Sequence, residues 1–243
     1  MSARSRIDHL DPFAPESGRY GRAQELERAT GFASTVYTWM AVALGLTAMA
    51  VALLGNNEGY MRWMLEAGGF RILPWVLLGY SLALQFLIRR LPTALATLGF
   101  FGFAGLMGLS LAPIVQIYTQ GSLITTFGVA AGTFGVMAAW GSVTRRDLTK
   151  VGSMFAMATI GLFIAFLVNM WFKNPMADLV LSGFGVLIFT GLSAVDAQRI
   201  RRIEESRVQG DEATRLAVLC ALHMYLNVIN LFLFLLRFLG NRR

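Results

Sequence analysis

Seven stretches of almost unbroken apolar residues divide this chain, at about 32–54, 70–88, 93–115, 122–141, 151–172, 177–198 and 216–239. Each is close to the roughly 20 residues that an α-helix needs to cross a bilayer. The overall balance agrees: of 243 residues 56% are hydrophobic and 14% charged, where a soluble domain carries about a quarter charged. The chain therefore reads as an all-α integral membrane protein, a bundle of seven transmembrane helices over residues 31–243 preceded by a polar tail at 1–30. The tail holds five Arg, five acids and two prolines, ends in a short amphipathic piece around 22–30, and contains no cleavable signal peptide, because the first apolar run starts too late and is too long.

Lys and Arg set the orientation. With the N-terminus cytoplasmic, the inner segments hold Arg4, Arg6, Arg19, Arg22, Arg28, Arg89, Arg90, Arg145, Arg146, Lys150, Arg199, Arg201, Arg202, Arg207 and Arg215, and the outer side holds only Arg62, Arg71, Lys173, Arg237, Arg242 and Arg243. That bias favours N-terminus in and C-terminus out. A re-entrant seventh segment, returning the last positives to the cytoplasm, stays open as an alternative. The net charge of +7 is a topology signal, scattered over short loops, and nucleic acid is not an expected partner.

Glycines suggest how the helices approach one another. TFGV recurs at 126–129 and 133–136, and Gly128, Gly132 and Gly135 read as a close-approach surface, as do Gly99, Gly102, Gly105 and Gly108 in the third span. Pro113 is expected to bend the outer end of that span. No inverted repeat of the transporter type is visible, which disfavours a proton-coupled transporter. Asn174-Pro175 with Asp178 in the first turn spells the start of span six, where Asp178 reads most simply as a dipole partner. The 144–150 segment offers Thr144 or Asp147 as a cap for span five and otherwise reads as a solvated loop.

Two places carry chemistry. His223, Asn227 and Asn230 stand four and three apart within the last apolar run, so they share one face of its helix and point at other helices rather than at lipid. Asp196 is the one acid among fourteen that directly terminates a continuous apolar helix. The topology puts it at the depth of Arg89 and Arg90, with which it could pair; the plainer alternative has it facing cytoplasmic water beside Arg199. Cys220 is the only cysteine, which excludes an intramolecular disulfide and a cysteine metal cluster, and it reads as a small buried hydrophobe. With two histidines, one of them His9 in the tail, no phosphate-binding glycine loop and no nucleophile beside a base, neither an enzyme nor a metal site nor a cofactor is expected.

The segments 109–114, 144–148, 191–200 (Gly-Leu-Ser-Ala-Val-Asp-Ala-Gln-Arg-Ile) and 221–232 (Ala-Leu-His-Met-Tyr-Leu-Asn-Val-Ile-Asn-Leu-Phe) together resemble the Bax inhibitor family of membrane proteins in a bacterial form, over all seven spans. The resemblance implies a bundle whose last helix is central, wrapped by the other six, in a bacterial inner membrane. It also implies a pore opening toward the cytoplasm and a pH-regulated leak of calcium or other cations. In that picture two aspartates on helices six and seven share protons, and an Arg ending helix two latches onto them. Asp196 matches the first aspartate and Arg90 the latch, while Asn227 stands in place of the second aspartate. Two close carboxylates titrate as a unit; an Asp beside an Asn does not, because the amide resembles a carboxyl group frozen in its acid form. His223, one turn before Asn227, offers a titratable group in its stead, although a neutral buried ring is the commoner arrangement. One carboxylate with a few amides suits a weak cation path better than a tight calcium site. The other role that the resemblance implies is a non-conducting partner of a membrane-anchored ATP-dependent protease, with the tail as the handle.

Overall fold

A computed structural model describes residues 16–66 and 68–241, with side chains from residue 31 onward. It contains nine helices among the described residues: α1 (Glu16–Leu54), α2 (Glu58–Glu66), α3 (Gly69–Leu87), α4 (Thr93–Leu111), α5 (Ile114–Ile117), α6 (Gln120–Val143), α7 (Thr149–Phe172), α8 (Pro175–Glu205) and α9 (Gly210–Leu239). Seven are long and apolar enough to cross a membrane, α4 and α5 counting together as one span. The protein is thus an all-α membrane bundle. Residues 1–15 lie outside the described residues, and with them the first half of the tail and His9. The backbone of residues 16–30 is helical and continuous with the first span, since α1 begins at Glu16.

The centre of the bundle is α9. Of its most apolar window 72% is buried, against 6% for α7, yet α7 is the more hydrophobic of the two. A helix apolar on all sides is content either in a protein core or in lipid, so hydropathy does not rank them; the neighbours do. α9 packs against α1, α4, α6 and α8, whereas α7 leans chiefly on α8. Tyr225, fully buried, stands edge-on to Phe100 and Phe103 of α4 and sets its hydroxyl 2.7 Å from that of Thr47 on α1. Thr47 in turn lies 2.9 Å from the Ala104 carbonyl, so the deepest polar groups of the core are mutually satisfied.

Close approaches occur elsewhere than the TFGV echo suggests. Gly128, Gly132 and Gly135 face open space, as does Gly105, where in a membrane lipid tails pack. The contacts that tolerate no Cβ include Gly108 against Thr47 and Ala50, Gly141 against the Ala194 backbone, and Gly185 against the Phe234 ring. Spacing along one helix places glycines on a face but does not say what the face meets. Pro113 ends α4 rather than bending it, and serves as the cap of the short α5.

Asn241, just past α9, lies at the end of the bundle opposite residue 31, because α9 is continuous and Asn241 accepts from the Thr119 amide and donates to Ser122 Oγ at the start of α6. A re-entrant last segment is therefore not what the chain forms. The 144–148 loop keeps residues 145–147 exposed, as expected, but is docked through its backbone: Gln198 of α8 accepts from the Leu148 amide at 2.9 Å and donates to the Arg146 carbonyl at 2.7 Å. Asp147 Oδ1 takes the Thr149 amide and hydroxyl and the Arg202 guanidinium. The Thr149 bond foremost, then Arg202, holds that carboxyl well below the usual carboxylate range.

Candidate functional site

Two polar clusters sit at opposite ends of the α8–α9 pair. At the first, Asn227 Nδ2 donates to Asp196 Oδ2 at 2.7 Å, joining α9 to α8. Asn227 is buried and Asp196 partly so. Helix α8 continues nine residues beyond Asp196 to Glu205, so the carboxyl is set into a helix flank and does not end the helix. The small residues around it explain how: Gly191 receives Phe155 of α7 and Gly152 of α7 receives Val195, which brings α7 against one side of α8 and turns Asp196 toward α9.

One turn back on α9, the His223 ring bridges three helices. Arg199 Nη1 of α8 lies 3.4 Å from its Nδ1, and Gln85 Oε1 of α3 lies 3.3 Å from its Nε2. Since a guanidinium only donates, Nδ1 must accept, and Nε2 then carries the proton that Gln85 Oε1 accepts. Gln85 passes the line on by donating Nε2 to the Ser81 carbonyl at 3.3 Å. The directions are mutually consistent, and a second ring proton would set Nδ1–H against the Arg199 donor.

The predicted residues therefore separate. Asp196 and Asn227 meet directly and His223 adjoins them on α9. Arg90 does not join them: it is exposed in the turn after α3 and forms no ion pair with Asp196. Arg199, from the same helix as Asp196, occupies the position facing the His ring. Asn230 is partly buried further along the stripe and has no hydrogen-bond partner among the described residues. Thr190, on the preceding turns of α8, likewise has a buried hydroxyl without a partner among them. Gln85 and Arg199 are the participants the sequence reading left out. The available signal was weak but real: Gln85 is the one amide near the end of span two, and Arg199 stands three after Asp196.

The opposite end is built differently. Phe234 stacks between Phe166 and Phe189, each with ring centroids 5.6 Å apart and planes 25° apart, in space that Gly185 leaves open. Above the stack the Arg237 guanidinium lies 4.9 Å over the Phe166 ring and 3.7 Å from Asp178 Oδ1. Buried Asn169 donates to the same carboxylate oxygen at 2.8 Å and to the Asn174 carbonyl. Asn174 caps α8 as expected, accepting from Met176 and Ala177 amides, but Asp178 is more than a dipole partner: it ties α7, α8 and α9 together.

Among the described residues no set of three His, Cys, Asp or Glu side chains could hold a metal ion. What the first cluster can do chemically is offer one carboxylate, amide oxygens and a guanidinium-buttressed imidazole along a single face, the makings of a weak polar path. The family described as "Inhibitor of apoptosis-promoting Bax1" matches residues 29–243. The inner membrane protein YbhL of Escherichia coli is 37% identical over 87% of this chain and 92% of its own. Uncharacterized proteins of Deinococcus radiodurans, 38% identical over 90% of this chain and 93% of theirs, and of Borreliella burgdorferi, 36% identical over 90% and 96%, are similar along the same extent.

Proposed function

The chain belongs to the Bax inhibitor family of membrane proteins, and from that premise we propose that it is a cation leak of the bacterial inner membrane, oriented with its N-terminus in the cytoplasm. Calcium and other cations enter at the Asp196 end. The observation that carries this reading is the 2.7 Å bond between Asn227 and Asp196. An amide–carboxylate pair at the junction of two spanning helices costs desolvation that a structural core has no need to bear, and polar groups at such depth serve pathways. The His223, Arg199 and Gln85 line supports it, because it places further polar atoms on the same face of α9.

In this mechanism Asp196 is the anionic station for the ion and Asn227 its neutral gatepost. Arg199 and the neutral His223 ring, rather than Arg90, flank the entrance, and the positive field of the guanidinium keeps cation binding weak, as conduction requires. Asn227 presents an amide at every pH, so any residual pH response belongs to Asp196 and His223.

The test is influx into liposomes loaded with a calcium-sensitive dye between about pH 6 and pH 8, comparing wild type, Asp196→Asn and Asn227→Asp. Flux in the wild type, lowered several-fold by Asp196→Asn and made steeply pH-dependent by Asn227→Asp, is the expected result, since two adjacent carboxylates titrate as one unit. Absence of flux in all three properly inserted proteins overturns the leak and leaves the role of a protease partner.

A further inference from the structure

The end of the bundle that carries Asp178 also carries α2, nine residues long and the most one-sided helix in the molecule. Positions Glu58, Met61, Arg62 and Leu65, spaced i, i+3, i+4 and i+7, share one face. Tyr60 and Met64 lie on the other, which is anchored: the Tyr60 hydroxyl donates to the Leu109 carbonyl of α4 at 2.6 Å and Met64 is fully buried. Burial pushes the Tyr60 phenol up, so it keeps the proton it donates. Gly69 at the start of α3 fits under Trp63 and Met64 with no room for a Cβ. The facing wall is fixed as well, since Gln116 Nε2 bonds the Gly55 carbonyl at 2.7 Å and Pro113 is buried.

Between these two held walls lies a cleft of about 610 Å³, within the roughly 300–1,000 Å³ of small-molecule sites. Its lining is mainly apolar, and its mouth is flanked by Leu65, Phe70 and Ile117, all exposed. At its rim stand one carboxylate, Glu58, and one guanidinium, Arg62. They are four apart on one helix, yet neither makes an ion pair or hydrogen bond among the described residues.

We propose that this cleft binds a phospholipid with a zwitterionic, primary-ammonium headgroup, phosphatidylethanolamine, from the leaflet at the Asp178 end, its acyl chain along Met61, Leu65 and Phe70, its phosphate on Arg62 and its ammonium on Glu58. The location beside α2 at the ends of two membrane-spanning helices supplies the lipid, and the rim charges select among lipids. A guanidinium alone would suit any phosphate, but the adjacent carboxylate repels a purely anionic headgroup and pairs with an ammonium. The inference is independent of ion conduction.

The experiment is native mass spectrometry of the full-length protein released from mixed micelles holding equal amounts of phosphatidylethanolamine and phosphatidylglycerol with identical acyl chains. The wild type is expected to retain phosphatidylethanolamine about tenfold over phosphatidylglycerol, one charge-assisted contact in affinity. Glu58→Gln brings that ratio to about one, Arg62→Ala lowers retention of both lipids, and Met61→Trp, which puts an indole across the path of the acyl chain, abolishes it. Arg71→Ala removes a neighbouring cation that does not line the cleft and leaves retention unchanged. Equal retention of the two lipids by the wild type overturns the proposal, as does a loss with Arg71→Ala equal to that with Arg62→Ala. Retention that survives Met61→Trp in a variant with an unaltered melting profile also overturns it.

Discussion

The two ends of the α8–α9 pair are made from the same helices and solve opposite problems. At the Asp178 end, three stacked phenylalanines fill the space that Gly185 vacates, and an ion pair shared with Asn169 lies over them. At the Asp196 end the corresponding face of α9 presents Asn227, bonded to Asp196 of α8, and His223, bonded to Arg199 of α8 and Gln85 of α3. The first end is held by many dispersion contacts, which are individually small and collectively large. The second is held by a few directional bonds that can be exchanged for water or an ion. A closed wall and an open mouth differ in this way, which is the asymmetry that the proposed leak calls for.

Substitutions sharpen or break that contrast, and the heaviest effect is expected at the wall. Phe234→Ala empties the space between Phe166 and Phe189 and should destabilise the protein by about 3 kcal/mol, read as the largest fall in melting temperature in detergent; a change no larger than that of an exposed α7 variant such as Ile160→Ala would show that the stack is not a wall. Gly185→Val drives a side chain into the Phe234 ring and should cost about 1–3 kcal/mol by the same readout. Asn227→Leu removes the donor to Asp196 while keeping the volume. It should cost about 1–2 kcal/mol, less than Phe234→Ala, and should alter flux far more than stability; the reverse ordering would make Asn227 a structural residue. Arg237→Met breaks an ion pair that is about two-fifths exposed on both sides, so about 0.5 kcal/mol is expected.

The smallest effect is predicted at the docked loop. Because Asp147 is held below the usual carboxylate range, its contribution is present above the unfolded value near 4 and is lost only as pH falls below that toward the depressed folded value. Hydrogen-exchange protection of residues 146–149, corrected for intrinsic rate, should therefore not differ between pH 8 and pH 6. A loss in that window would assign the titration to another group.

Several particulars of this arrangement are legible in the sequence, and others are not. Asn174-Pro175 announces the start of α8 because capping is a local matter of three or four residues. The face shared by His223 and Asn227 follows from the helical repeat. Arg90 as the partner of Asp196 does not survive, because equal depth along the bundle says nothing of angular position, and α3 presents Gln85 to α9 while its end carries Arg90 away. The glycines misled for the same reason: Gly128, Gly132 and Gly135 share a face, and that face meets no protein. Asp178 and Arg237 lie far apart along the chain, so a reading one helix at a time sees an acid in a first turn and a cation in a last turn, never their pairing.

By itself the sequence determined that this protein is a seven-span helical membrane bundle, because a bilayer demands about 20 apolar residues per crossing and helices that satisfy their own backbone. It also singled out Asp196, His223 and Asn227 among the polar side chains carried into that interior. That α9 is the centre was implied only by the family resemblance, and the tertiary structure decided it against the more hydrophobic α7; it alone decided that Asp196 meets Asn227 while His223 meets Arg199 and Gln85. Lipid and protein core are nearly equivalent surroundings for an apolar side chain. The choice between them is therefore made by the fit of side chains between helices, which no single helix encodes.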